Sequence, residues 1–233
     1  MLKTILITGG VRGIGGAIAE LFLQSGYRVI VTYSKDEENA ERMRALGAWA
    51  IRSDASNEED TIKLFQTVGR VDILVNNAGI SLIKQLQDTS YEEFSHLFSV
   101  NMGSAFLCSR EASKGMISRQ SGLIVNISSV WGEVGGSCES VYSASKAAML
   151  GFTKALAKEL GYSGVRVNSI SPGVVDTAMN THFSSEELCS LREEIPLGRM
   201  GVGEDIAKTV LFLAENEYIT GVDIPVNGGF SIV

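Results

Sequence analysis

The chain has 233 residues, of which 45% are hydrophobic and 20% charged, with 25 glycines and 3 prolines. This length suits one α/β domain, so we expect residues 1–233 to form a single domain. The formal net charge of −7 argues against nucleic acid and anionic membranes as partners, because both bind basic surfaces.

The three cysteines are Cys108, Cys138 and Cys189, an odd and widely spaced set without a C-x-x-C pair. This usage favours free thiols in a reducing cytoplasm over disulfides, and we expect no metal site. No apolar run reaches about 18 residues, so the sequence predicts no transmembrane helix.

Short β-branched runs alternate with longer helical patterns along the whole chain. The predicted strands are Thr4–Thr8, Arg28–Thr32, Trp49–Arg52, Ile73–Asn76, Gly122–Ser128, Arg166–Ser171 and Asp223–Val226. The predicted helices are Gly15–Gln24, Asp36–Leu46, Asn57–Val68, Tyr91–Ser118, Val141–Leu160 and Gly203–Ala214. Sustained alternation predicts an α/β fold with one doubly wound parallel sheet of about seven strands and helices on both faces. Ligands of such sheets bind at the carboxyl ends of the strands.

A glycine-rich turn follows the first predicted strand and opens the first predicted helix. Gly9, Gly13 and Gly15 follow the spacing G-x-x-x-G-x-G. Glycines let backbone N–H groups approach a pyrophosphate, and the N-terminus of the helix adds a partial positive charge. The context of strand, turn and helix therefore predicts a Rossmann-type dinucleotide site.

The end of the second strand indicates which dinucleotide binds. NAD-selective sites place a carboxylate there for the ribose 2′-hydroxyl. This strand is followed by Ser34 and Lys35, and Asp36 comes late for that role. Arg12 and Lys35 can pair with a 2′-phosphate, and Ser34 can donate a hydrogen bond to it. We expect NADPH (NADP+) as the cofactor, with solvated surface charge as the alternative interpretation of Arg12 and Lys35.

Tyr142 and Lys146 lie four residues apart in one predicted helix, and therefore on one helix face. A nearby ammonium favours a phenolate, so we expect Lys146 to lower the pKa of Tyr142 from about 10 towards neutrality. Such a tyrosine can give a proton to a carbonyl oxygen. Ser129, thirteen residues earlier at a strand end, can hydrogen-bond to the same oxygen.

These motifs together resemble the short-chain dehydrogenase/reductase family over essentially the full length of the chain. The matching pieces are Thr8-Gly9 with Gly13-Ile14-Gly15, Asp54-Ala55, Asn76–Gly79, Asn101, Ser128-Ser129, Tyr142 with Lys146, Ser171–Gly173, and the tail Ile219–Gly221 with Val226–Gly229. The resemblance implies an NADP-dependent oxidoreductase that acts on CH–OH or C=O groups.

The resemblance also implies roles for single residues. The implied catalytic tetrad is Asn101, Ser129, Tyr142 and Lys146, with Asn101 placing a water beside Lys146. The implied cofactor contacts are Gly9, Arg12, Gly13, Ile14, Gly15, Ser34, Lys35, Asp54, Ala55, Asn77, Ala78, Gly79, Tyr142, Lys146, Pro172, Gly173, Val175 and Thr177. Within this set, Asp54 would hold the adenine, and Val175 and Thr177 would meet the carboxamide. As alternatives, Asp54 and Asn77 could cap turns, and Asn101 could bond to helix backbone.

Within the family, the chain resembles most the 3-oxoacyl-acyl-carrier-protein reductases of fatty acid biosynthesis, on the residues Ile195–Met200 and Val226–Gly229. An acyl carrier protein is acidic, so its docking requires basic residues beside the pocket. The segments in which we expect them, Ser118–Ser121 and Gly161–Gly164, supply only Arg119, with Arg166 nearby.

A second resemblance involves the loop before Tyr142. Trp131, Cys138 and Glu139 resemble a group that reduces 5-aminopentanone attached to elongation factor P, and we assign all three tentatively to the substrate. Glu139 could pair with the ammonium of that substrate, or could be a solvated loop residue. A third class, a non-catalytic regulator that binds the cofactor, is disfavoured by the intact tetrad. We interpret Met179–Glu194 as a lid over the substrate.

Family resemblance further implies a homodimer or homotetramer. The two long helices near Asn101–Ser118 and Val141–Leu160 would form the contacts. Their candidate apolar residues are Phe106, Leu107, Met149, Leu150 and Phe152, although core packing would explain these residues equally well.

Overall fold

The computed structural model describes residues 2–177 and 190–232. Most of the predicted lid, Met179–Glu194, falls outside these residues, as does Cys189. Seven strands form one sheet: β1 (Thr4–Ile7), β2 (Arg28–Tyr33), β3 (Trp49–Arg52), β4 (Ile73–Asn76), β5 (Gly122–Ile127), β6 (Val165–Pro172) and β7 (Asp223–Val226). The strand order is β3-β2-β1-β4-β5-β6-β7, and every pairing is parallel. The predicted doubly wound sheet is confirmed.

The helices of the described residues cover both faces of this sheet. Those that lie wholly within the described ranges are α1 (Gly13–Gln24), α2 (Glu37–Ala45), α3 (Glu58–Val68), α4 (Tyr91–Phe98), α5 (Ser104–Arg119), α6 (Val130–Val134), α7 (Ser140–Leu160) and α8 (Gly203–Glu215). Among them, no helix is long and apolar enough to cross a membrane.

The strands bury alternate residues on the two faces of the sheet. Ile5 and Ile7 of β1 pack on one face with the core beneath α1 and α8. Leu6 of the same strand points to the other face, where helices α3, α5 and α7 supply the partners. Because both faces are covered, the strands are almost entirely apolar, which explains why the sequence pattern identified them.

The predicted helix Tyr91–Ser118 is in fact interrupted. Helix α4 ends at Phe98, a π-helical turn spans Ser99–Gly103, and α5 begins at Ser104. The wider turn inserts an extra residue locally and so changes which side chains face the core. Asn101 is fully buried within this turn.

Helix α6 is a five-residue element that the sequence pattern did not predict. It follows β5 directly and packs against α7 and β6. Gly132 permits this packing, because a Cβ atom there would lie 2.8 Å from the carbonyl carbon of Lys146.

Candidate active site

The glycine turn is closed tightly on the carboxyl end of the neighbouring strand β4. Gly9 and Gly13 have φ angles of +61° and +56°, in the left-handed region that favours glycine. A Cβ atom on Gly15 would lie 2.5 Å from Asn77 Nδ2 and 2.6 Å from the Gly9 carbonyl oxygen. The turn thus forms a backbone cradle at the N-terminus of α1, which fits a pyrophosphate. Ile14 is half-buried and packs against the core.

Asn77 fixes this turn through hydrogen bonds. Its Nδ2 donates to the carbonyl oxygens of Thr8 and Gly9, at 3.0 and 3.1 Å. The Thr8 hydroxyl accepts from the N–H groups of Asn77 and Ala78, both at 3.0 Å. The carboxyl ends of β1 and β4 are therefore tied together. The family resemblance implied no separate role for Thr8.

Asp54 caps the turn that follows β3. Its Oδ1 accepts from the N–H and hydroxyl of Ser56, at 3.0 and 2.7 Å. The turn-capping alternative thus describes one role of Asp54 in the fold, and its contact with the adenine stays a prediction. Ala55 beside it is buried, and its carbonyl oxygen accepts from the Thr61 hydroxyl.

A carboxylate and a third basic residue lie around the end of β2, where we predicted that the cofactor type is selected. Asp36 Oδ2 is 3.4 Å from Arg12 Nη1, so this carboxylate lies beside the glycine turn, and our expectation that it comes too late to bind the ribose stays a prediction. The same carboxylate caps α2 by accepting from the Asn39 N–H. Arg52 Nε donates to the Ser34 carbonyl oxygen at 3.1 Å, while Ser34 and Lys35 are exposed.

Sequence reasoning missed Arg52 because β3 had not been placed beside β2. In the sheet, Arg52 is the register partner of Tyr33, the last residue of β2. The parallel order of the strands carries the signal, since equivalent ends of neighbouring strands meet at one edge.

Three predicted catalytic side chains converge where α7 meets the end of β5. Tyr142 is buried, and its hydroxyl is hydrogen-bonded to Ser129. Ser129 caps α6 by accepting from the Trp131 N–H at 3.2 Å. Lys146 Nζ donates to the Ile127 carbonyl oxygen at 2.8 Å and lies 5.7 Å from the centre of the Tyr142 ring. With this geometry, the hydroxyls of Tyr142 and Ser129 can both hydrogen-bond to the carbonyl oxygen of one substrate.

We expected Lys146 to lower the pKa of Tyr142. This prediction is wrong for the protein without cofactor, in which the pKa is raised. Burial raises the pKa of Tyr142 to about 12, and the hydrogen bond from Ser129 lowers it by less. The nearby Glu139 carboxylate adds to the rise. Burial also lowers the pKa of Lys146 to about 8. Desolvation of both groups therefore outweighs the attraction between a phenolate and an ammonium.

Asn101 connects α7 to the loop after β4. Its Oδ1 accepts from the Ile80 N–H at 2.8 Å, and its Nδ2 donates to the Ile80 carbonyl oxygen and to Ser145 Oγ, both at 3.0 Å. Ser145, which the sequence did not single out, donates in turn to the Tyr142 carbonyl oxygen. A Cβ atom on Gly79 would lie 3.3 Å from Asn101 Oδ1 and 3.5 Å from Lys146 Nζ. Asn101 thus holds the loop at Gly79 against the lysine.

The segment after β6 returns to the glycine turn. A Cβ atom on Gly173 would lie 2.8 Å from the Asn227 backbone, so this glycine permits a close approach. Pro172 and Val175 are buried, and Val175 bridges to Gly201. The Thr177 methyl lies 3.7 Å from the Cβ position of Gly13. The structure thus brings the predicted carboxamide-binding segment beside the pyrophosphate turn.

The three tentative substrate residues surround the start of α7. The Trp131 ring packs edge-on against Phe230, with centroids 5.5 Å apart. Cys138 is exposed and has a φ of +60°, and its carbonyl oxygen accepts from the Lys84 N–H. Glu139 is partly buried, and its carboxylate is near enough to affect Tyr142 electrostatically.

The expected carrier-docking segments lie at the other end of the chain's own sheet. Both segments precede strands and are in contact at that end of the sheet, where Gly164 packs so closely on the Gln120 carbonyl oxygen that a Cβ atom would not fit. Arg119 donates to the Val71 carbonyl oxygen just before β4, and Arg166 to that of Ile219. Tyr142 is at the carboxyl edge, and helix α7, 21 residues or about 30 Å long, separates the two ends. Our expectation that they flank this pocket is therefore wrong within one chain.

Comparisons with known proteins agree with this geometry. A family model described as enoyl-(acyl carrier protein) reductase matches residues 9–231. Carbonyl reductase family member 4 of Xenopus laevis is 39% identical over 100% of this chain and 99% of its own length. The uncharacterized oxidoreductase YmfI of Bacillus subtilis is 36% identical over 99% of both chains. The 3-oxoacyl-[acyl-carrier-protein] reductase FabG of Staphylococcus aureus is 36% identical over 98% of both.

The family match and the relatives cover nearly the whole chain, and the relatives are named as reductases or oxidoreductases. The chain therefore belongs to the short-chain dehydrogenase/reductase family, whose members are oxidoreductases that act on carbonyl or hydroxyl groups with a nicotinamide cofactor.

Proposed function

We propose that this enzyme is a 3-oxoacyl-acyl-carrier-protein reductase that uses NADPH to reduce a β-ketoacyl thioester to a β-hydroxyacyl thioester in fatty acid biosynthesis. The buried Tyr142 hydroxyl, hydrogen-bonded to Ser129 beside Lys146, is the observation that supports reduction of a ketone. The relative named as such a reductase, 36% identical over nearly its full length, supports the choice of substrate. We also propose that residues 1–233 act as one catalytic domain.

The side chains have separate tasks in this reaction. Tyr142 donates its proton to the ketone oxygen, and Ser129 hydrogen-bonds to the same oxygen, so that negative charge does not build up there. Asn101 keeps the loop at Gly79 in place beside Lys146. When bound, the nicotinamide supplies the hydride that the carbonyl carbon receives. The raised pKa of Tyr142 keeps this proton in place at neutral pH.

The preference for NADPH is supported by three basic residues around the end of β2. Arg12 lies at the glycine turn, Lys35 follows the strand, and Arg52 bonds to the backbone beside it. Asp36 opposes this preference, but its charge is partly neutralised by Arg12 and its oxygens cap α2. A 2′-phosphate would compete with Asp36 for Arg12.

Arg12→Ala therefore tests the choice of cofactor. The loss of a charge-assisted contact should weaken NADPH binding by about tenfold or more, while NADH binding changes little. A fluorescence titration with both nucleotides measures this. Arg28→Ala is the matched control, because Arg28 is an exposed cation at the start of β2, the end of that strand away from the glycine turn. NADH binding more tightly than NADPH to the unaltered enzyme would overturn the proposal.

A second candidate substrate is a ketone that carries an amine, such as 5-aminopentanone on elongation factor P. The Glu139 carboxylate acts electrostatically on Tyr142, so an ammonium group on a bound ketone would be attracted to the site. This observation favours a cationic substrate over a neutral acyl chain at that position.

Substrate assays separate the two candidates. We expect NADPH oxidation with a β-ketoacyl thioester, and Glu139→Gln should leave this rate nearly unchanged. Turnover with an amine-bearing ketone alone, lost in Glu139→Gln, would replace the first candidate by the second. Binding of NADPH without turnover of any carbonyl would instead favour a regulatory protein.

The proposed partners and assembly remain predictions. Arg119 and Arg166 lie far from Tyr142 of the same chain and bond to backbone carbonyl oxygens, so an acidic carrier protein, which stays a proposed partner, would need other contacts beside this pocket. Family members are typically oligomers, and Phe106 is the most exposed of the apolar residues that we assigned to a dimer or tetramer contact, whereas Met149 belongs to the core. A cytoplasmic location likewise stays a prediction.

A further inference from the structure

A row of polar side chains crosses the sheet on the face covered by α5, α6 and α7. Asn76 of β4, Asn126 of β5, Ser169 of β6 and Asp223 of β7 are successive register partners. Register partners in parallel strands point to the same face and lie side by side. At one end, Asn76 Nδ2 donates to Asn126 Oδ1 and to Ser109, and Asn126 Nδ2 donates to Thr153, so that Asn76 Oδ1 is the one atom of this asparagine pair without a partner among the described residues.

The other end of this row lacks such partners. Glu133, one helical turn after Ser129 on α6, reaches Asp223 closely enough for the two carboxyl groups to interact directly. Burial, followed by the hydrogen bond to Asp223, raises the pKa of Glu133 to about 7. Once both groups are carboxylates, they can only accept hydrogen bonds. Within the described residues, no donor reaches Glu133 Oε2 or either oxygen of Asp223, and no salt bridge neutralises either group.

Two buried serine hydroxyls of β6 lie on the same face of the sheet as Asp223. Ser169 is 1% exposed and Ser171 is fully buried, and neither Oγ has a hydrogen-bond partner. Their positions two residues apart on β6 put both hydroxyls on one face, with Ser169 directly beside Asp223. Five buried oxygen atoms without partners thus lie on one face of the sheet, where α6 covers β6 and β7.

Leaving such oxygens unpartnered is costly, and two adjacent carboxylates repel each other as well. We propose that this cluster, formed by Glu133, Ser169, Ser171 and Asp223, binds a hard divalent cation such as Ca²⁺ or Mg²⁺.

The chemistry of the ligands supports this choice. Hard cations prefer carboxylate and hydroxyl oxygens, and a divalent ion neutralises the two carboxylates. No group of three or more histidine, cysteine or acidic side chains that could hold a metal occurs in the described part of the chain, so serine hydroxyls must complete the set here. Glu133 is partly exposed, which gives the ion a path from solvent. The ion would fasten α6, which begins at the predicted catalytic Ser129, to the edge strand β7.

Terbium luminescence provides a test that does not depend on activity. Tb³⁺ substitutes for Ca²⁺ at oxygen sites and emits when a nearby tryptophan is excited. The chain has two tryptophans, Trp131 on α6 and Trp49 on β3 at the opposite edge of the sheet. We expect sensitised emission that Ca²⁺ or Mg²⁺ displaces, that Trp131→Phe removes and that Trp49→Phe leaves intact. Parallel titrations with the two ions decide which of them binds more tightly.

Variants of the ligands complete the test. Asp223→Asn and Ser169→Ala should each weaken ion binding by at least about tenfold, since even residues behind the ligands contribute that much in metal sites. Both variants should also lose the rise in thermal midpoint that Ca²⁺ or Mg²⁺ gives the unaltered protein at constant ionic strength. Ser169→Ala changes no charge, so the test stays informative even if Asp223→Asn fails to fold. Glu159→Gln, an exposed carboxylate on α7, is the control. Absence of sensitised emission, or equal ion binding in the control and both ligand variants, would overturn the proposal.

Discussion

In the protein without cofactor, the Tyr142 hydroxyl is shielded from water and is therefore a weak acid. Its hydroxyl is buried, and Lys146, the nearest ammonium that the sequence indicated, donates to a backbone carbonyl oxygen. The i, i+4 spacing correctly put both residues on one helix face. It did not reveal how deeply that face is buried, and burial determines the pKa.

Tyr142→Phe should lower turnover by at least about a hundredfold, because the general acid is lost. Cofactor binding should persist, since the ring and Lys146 remain. Steady-state kinetics and a nucleotide titration measure the two properties. Tyr162→Phe is the control, because Tyr162 is 99% exposed in the turn after α7. Turnover close to normal in Tyr142→Phe would refute the assignment.

Among the elements, the glycine turn depends most on the absence of side chains. Gly15→Ala should place a methyl group against Asn77 Nδ2 and the Gly9 carbonyl oxygen. The turn must then open, so we expect nucleotide affinity to fall at least about tenfold, with destabilisation of about 1–3 kcal/mol typical of overpacking.

The matched substitution is Gly151→Ala in the middle of α7. A Cβ atom there meets no atom within 4 Å, so alanine should stabilise the helix by about 0.5–1 kcal/mol. Urea denaturation and nucleotide titrations of both variants compare them directly. Equal nucleotide affinity in the two variants would show that the turn does not require Gly15.

Most strands and long helices were predictable because their apolar patterns persist over several turns or whole strands. The π-helical turn at Ser99–Gly103 was not, since the flanking sequence is equally compatible with a continuous helix. Helix α6 is too short to show a period. Arg52 and Asp36 required knowledge of which strand ends meet, and that information lies in the tertiary structure. The roles of the predicted catalytic and cofactor residues still await the experiments above.

On the scale of the whole molecule, buried ionisable groups link stability to pH. Burial lowers the pKa of Lys146 from 10.5 to about 8. Between these values the unfolded chain binds more protons, so raising the pH favours the folded state. Burial raises the pKa of Cys108 from 9.0 to about 12, and its effect above pH 9 has the opposite sign.

The difference in stability between the cofactor-free wild type and Lys146→Met isolates the first effect. It should shift in favour of the wild type as the pH rises from about 8 to 10. Cys108→Ala should instead remove a loss of stability above pH 9. Urea midpoints measured across this range under reducing conditions check both signs. A constant offset between wild type and Lys146→Met would contradict the burial of a charged lysine.

The strand order places β1 between β2 and β4, in the middle of the sheet. During synthesis β1 gains its second neighbour only when β4 emerges, about seventy residues later. Until then, one side of β1 and the turn that follows it have no lasting partner. Deletion of β1 and of the turn that follows it would accordingly divide the sheet between β2 and β4, whereas loss of β7 would remove only an edge strand.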